Sequence, residues 1–168
     1  MKSKRFLRVF FFVLLSSSTL AFGQTTALRQ KQFLVKDGLA LQGYDPVSYF
    51  SGKPQRGQAA NKLTYNGITY RFTNAANLND FKQNPARYEP QYGGWCAFAM
   101  GDSGEKVEVD PETFKVLDGK LYLFYNKFFN NTLKFWNKDE ARLHRQADVN
   151  WTKVFGPQPF HGGPKGAF

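Results

Sequence analysis

The sequence predicts a single α+β domain, a small antiparallel sheet built from β-hairpins with helices packed on it. Two observations predict it. Asn66-Gly67 and Asp118-Gly119 each lie between short alternating runs, and a two-residue turn wanting positive φ at both positions is the strongest local hairpin signal. After each hairpin, apolar residues recur at helical spacing, without the regular strand–helix–strand order of a parallel sheet. The length of 168 residues, 17% of them aromatic, allows one well-filled core without disulfide staples.

Residues 1–23 read as a secretory signal. Lys2 to Arg8 is basic, Phe10 to Leu15 is apolar, and Ala21-Phe22-Gly23 fits the small-x-small cleavage pattern. The apolar run is too short to span a bilayer, so the expectation is an exported chain, periplasmic or secreted, starting at Gln24 and holding no stable membrane anchor after cleavage. Residues 24–38 are expected to be a lead-in ending in an Asp37-Gly38 turn, and 39–155 the domain. Residues 156–168, rich in Gly and Pro, are expected to be a loose tail.

Within the domain, Asp45 before Pro46 marks a turn. The first hairpin pairs 62–65 with 68–72; Asn74 caps a helix carrying Ala75, Leu78 and Phe81, and Pro85 stops it. Trp95 to Ala99 is an apolar run of buried-strand length, and Lys106 to Val109 alternates as a strand. The second hairpin pairs 113–117 with 120–125. From Phe128 onward, through Leu133, Trp136, Leu143, Ala147 and Trp151, the pattern is helical. No internal repeat stands out.

Four of the 23 basic residues lie in the leader, so a chain cut after Gly23 keeps 19 bases against 13 acids. The bases are scattered and form no stripe to track a phosphate backbone, which speaks against nucleic acid as a partner. Cys96 is the only cysteine, so no intramolecular disulfide can form.

Residues 41–50 (Leu-Gln-Gly-Tyr-Asp-Pro-Val-Ser-Tyr-Phe), the 64–72 hairpin and Asn84-Pro85-Ala86-Arg87-Tyr88 resemble the YHS domain. Tyr92 to Cys96 and Asp118 to Leu123 resemble its longer, exported members, for which the resemblance implies no established activity. Metal-handling YHS domains carry cysteines at the places that hold Ser48, Thr73 and Asn77 here. Those side chains supply no thiolate for a soft metal.

The residues leave three functional expectations. The first is a non-enzymatic module binding a small ligand or a protein partner in an aromatic cleft of Tyr44, Asp45, Tyr49, Tyr92, Trp95, Cys96 and Tyr125, because Tyr and Trp join an apolar body to a polar tip. The second is a periplasmic copper protein using Cys96 with Met100, four residues on, or with a histidine (His144 or His161), since thiolate and thioether suit Cu(I). The third is a thiol enzyme, for which His144 would be the base. No phosphate loop, nucleophile elbow or His-Glu-x-x-His motif occurs.

Overall fold

A computed structural model describes residues 17–156, with side chains from residue 25 onward. Most of the signal (1–16) and of the tail (157–168) lie outside the described residues. Helix α1 (Ser17–Gln32) runs through the expected cleavage point and into the lead-in. Then come β1 (Val35–Lys36) and β2 (Leu39–Ala40), paired across Asp37-Gly38. Hairpin β3 (Gln58–Tyr65) and β4 (Ile68–Phe72) leads into α2 (Ala75–Gln83) and α3 (Pro85–Tyr88). After α4 (Ala97–Asp102), hairpin β5 (Asp110–Leu117) and β6 (Lys120–Phe124) is followed by the small ribbon β7 (Asn126–Lys127) and β8 (Asn130–Asn131). Helices α5 (Thr132–Trp136) and α6 (Glu140–Phe155) complete the fold.

The architecture is the α+β arrangement of hairpins and helices that the sequence predicts. Its strands form separate two-stranded antiparallel ribbons. Both predicted turns carry left-handed residues, Asn66 and Gly67 at φ 46° and 81°, Asp118 and Gly119 at 50° and 71°. The Asn74 side chain caps α2 by accepting the Asn77 N–H at 2.8 Å.

Three expected elements differ. Trp95–Ala99 is not a strand: Cys96 makes one bridge to Leu123, and the chain then turns into α4, with the Met100 N–H bonded to the Cys96 carbonyl. Among the described residues, 106–109 pair with no strand; the Val107 carbonyl accepts the Cys96 N–H, and β5 begins only at Asp110. Phe128 is not helical but sits with Phe129 at the tip of the β7–β8 ribbon.

Close packing explains α4. A Cβ on Gly101 would fall inside the contact distance of the Leu143 carbonyl oxygen and 3.0 Å from its carbonyl carbon. Both atoms are α6 backbone, which has little room to move. Gly101→Ala is therefore expected to cost about 1–3 kcal/mol, the range for overpacking, read as a lower urea midpoint at unchanged slope.

Superposed on this order is a repeat that the residues did not reveal. Leu41, Gln42 and Gly43 are left-handed in succession, and so are Tyr92, Gly93 and Gly94. Asp45 N–H bonds the Gln55 carbonyl as Cys96 N–H bonds that of Val107. In the hairpins, Gln58 pairs Phe72 and the register then jumps to Lys62 with Arg71; Asp110 pairs Phe124 and the register jumps to Phe114 with Leu123. Tyr70 and Phe72 pack on Phe81 of α2, and Tyr122 and Phe124 pack on Trp136 of α5. The Tyr70 hydroxyl bonds Glu89, one residue past Tyr88; the Tyr122 hydroxyl bonds His144, one past Leu143. The chain is one turn–hairpin–helix unit built twice. The second copy carries an addition, residues 126–130, where the first passes directly from Thr73 to the cap Asn74.

Candidate functional site

The repeat places two interior sockets in equivalent positions, and the residue filling each decides its chemistry. In the first copy the side chain is Asp45, fully buried. Its Oδ1 accepts the Val47 N–H at 2.8 Å, and its Oδ2 accepts the Thr73 N–H at 2.8 Å, the Thr73 hydroxyl at 2.8 Å and the Asn77 amide at 2.7 Å. The Ser48 hydroxyl donates to the Asp45 carbonyl at 2.7 Å and accepts the Gln55 N–H at 2.9 Å. Ser48, Thr73 and Asn77, the three positions where the resemblance puts cysteines, thus all bond Asp45, Ser48 at its backbone carbonyl and Thr73 and Asn77 at its carboxylate. The four contacts on that carboxylate are all hydrogen-bond donors, so a cation approaching it would meet N–H and O–H dipoles turned the wrong way.

In the second copy the socket holds Cys96, also fully buried. The Tyr125 N–H donates to Sγ at 3.4 Å, as the Thr73 N–H does to Asp45. Thr132 Oγ1 lies 3.4 Å from Sγ and donates its own hydrogen to the Tyr125 carbonyl at 2.9 Å. A hydroxyl has one hydrogen, so the thiol must be the donor toward Thr132. Sγ thus gives one weak hydrogen bond toward Thr132 and accepts another from the Tyr125 N–H. Met100 is equally buried one helical turn away. Among the described residues, no three of His, Cys, Asp and Glu gather as a metal would need.

The other residues of the expected cleft fall into separate neighbourhoods. Buried Tyr44 and Tyr49 reach the start of β5, where their hydroxyls donate to Glu112 Oε1 at 2.8 Å and to the Pro111 carbonyl at 2.9 Å. Buried Tyr92 donates to Asp148 Oδ1 at 3.0 Å, and its ring lies against Tyr122 and Trp151. Half-buried Trp95 donates its indole N–H to the Gln32 carbonyl at the end of α1. Tyr125 is half-buried beside Cys96. Burial, with Asp148 beside it, pushes the Tyr92 hydroxyl far above its ordinary pKa.

His144, the base that a thiol enzyme would need, is oriented by groups other than Cys96. Its Nε2 lies 2.9 Å from the Tyr122 hydroxyl and 3.9 Å from Asp148 Oδ2. The ring stands edge-on to Tyr122 and Trp136. It is thus tied to α6 and β6, not to Cys96. His161 lies outside the described residues.

Sequence reasoning missed two features. Arg29, in the expected lead-in, is 2% exposed, ion-paired to Glu89 and stacked over Phe33. Burial works to lower the Arg29 pKa, but the charges of Glu89 and Tyr70 and the bond to Glu89 outweigh it and leave it above its ordinary value. The 60-residue separation of the pair leaves no local signal. The second feature is the ribbon tip, where Phe128 and Phe129 hold φ of 52° and 64° and are 89% and 110% exposed. For L-residues that backbone costs roughly 1–2 kcal/mol each, and bulky side chains rarely adopt it.

Comparison of the chain with known protein families, characterised proteins and solved structures finds no match.

Proposed function

We propose that the chain is an exported YHS-like binding module that engages a partner through its surface, without catalysis and without a metal. The observation that carries this reading is the Asp45 socket. The positions that would bear metal-binding cysteines serve instead to fix the turn, hairpin and α2 to one another. The polar tips of Tyr44, Tyr49, Tyr92, Trp95 and Cys96 are likewise engaged within the chain. Binding energy must then come from groups that face outward.

The test is Cu(I) titration of the native protein followed by native mass spectrometry, beside iodoacetamide labelling of Cys96. The expected result is no stoichiometric copper uptake that depends on Cys96, and labelling that becomes fast only after unfolding, because the buried thiol is out of reach of the reagent. Tight copper binding lost in Cys96→Ser would establish the copper-protein reading instead. Rapid labelling of native protein would revive the thiol enzyme.

A further inference from the structure

We infer that the β7–β8 ribbon is a membrane-docking tip that seats Phe128 and Phe129 in the surface of an anionic phospholipid bilayer. The inference rests on the surface-binding reading and names the partner. Three observations carry it. The two rings project into solvent with almost nothing covering them, where water penalises them most. The backbone beneath them is left-handed at both residues, a turn that Asn-Gly would form without strain. The ribbon is absent from the first copy of the repeat, whose hairpin–helix link closes without it, so the fold does not require it. Strain and exposure retained in a dispensable addition point to a use outside the fold.

Charge and shape select the occupant. No Asp or Glu occurs between Asp118 and Asp139, while Lys127, Lys134 and Lys138 are exposed beside the tip. None of these three lysines makes an ion pair among the described residues. Phe135, 44% exposed, extends the apolar surface along α5, with the Lys138 ammonium 5.4 Å from its ring centre. Apolar rings among lysines match the boundary between acyl chains and anionic headgroups. A two-residue point offers far less than the area a stable protein interface buries on each partner, but a bilayer closes around a point. Two rings and three lysines give reversible binding, not an anchor.

The experiment uses protein recovered from the export pathway of its expression host, its N-terminus fixed by intact mass. It is sedimented with vesicles of phosphatidylglycerol and phosphatidylcholine, and with phosphatidylcholine alone. Wild type is expected to sediment with the anionic vesicles and to release in high salt. Phe128→Asn with Phe129→Gly is expected to weaken that binding about tenfold or more while raising the melting temperature, since it relieves the turn. Phe128→Ser with Phe129→Ser should weaken binding similarly, and Lys127→Gln with Lys134→Gln should reduce its salt dependence. Undiminished binding by both tip variants, equal binding to neutral vesicles, or a wild type that stays in solution would overturn the inference. So would a purified protein partner that needs the tip while vesicles do not bind. The copper and labelling results bear on the parent reading alone, so the two can fail separately.

Discussion

Asp45→Ala is expected to remove about 3–4 kcal/mol of folding stability, because it strips the acceptor from four donors in a fully buried socket. Deleting one partner of a buried bond leaves the other unsatisfied, and each such group costs about 1–3 kcal/mol before the surroundings relax. The donors belong to three parts of the chain: Val47 after the turn, Thr73 at the end of the hairpin, and Asn77 on α2. Losing the hub therefore loosens the whole first copy. Asp45→Asn keeps the shape, but turns an amide NH₂ toward donors at one oxygen's place, so roughly half of the loss is expected to remain. Urea denaturation of the three proteins checks both values. An Asp45→Ala protein as stable as wild type would mean that the socket does not hold the fold.

Glu89→Ala is expected to be at least as damaging, about 3–5 kcal/mol. It abandons the Arg29 charge at 2% exposure and the Tyr70 hydroxyl at none. Tyr70 donates to Glu89 Oε1 at 2.6 Å, and the same oxygen takes the Arg29 guanidinium. Arg29→Met combined with Glu89→Gln is expected to recover much of the loss, since no buried charge then lacks a partner and the Gln carbonyl still accepts from Tyr70. The double-mutant cycle, run by thermal melting, isolates the coupling. Because Arg29 lies in α1, the same cycle measures how firmly that helix is held to the domain. A single Glu89→Ala variant with unchanged melting would contradict the burial described here.

What could be read from the residues was whatever a short stretch of chain decides for itself. Asn66-Gly67 and Asp118-Gly119 announce their turns because each needs a backbone state that few other residue types adopt easily, and Asn74 announces α2 because its short side chain can accept a first-turn N–H. The Trp95–Ala99 run misleads because five apolar residues suit a strand and a buried helix turn equally. The deciding fact, Gly101 against the Leu143 backbone, lies more than forty residues away in the chain. At Lys106–Val109 the alternation is present but, among the described residues, no strand lies alongside to pair with it. The Phe128–Phe129 turn defeats turn chemistry altogether, since those residues are among the last expected at positive φ. The cleft proposed for the aromatic residues dissolves for a similar reason. Tyr and Trp suggest a cleft because they join an apolar body to a polar tip, but the fold aims the tips of Tyr44, Tyr92 and Trp95 at Glu112, Asp148 and the Gln32 carbonyl.

The repeat escaped notice because its copies share dihedral angles and register jumps more than side chains. Asp45 answers to Cys96, Glu89 to His144, Asn66 to Asp118. That divergence has a practical meaning for anyone altering the molecule. The frame has already accepted a carboxylate and a thiol at one socket, and a glutamate and a histidine at the other, with its outline intact. One polypeptide thus holds both versions of the same frame, and each half is a ready-made template for rewriting its twin.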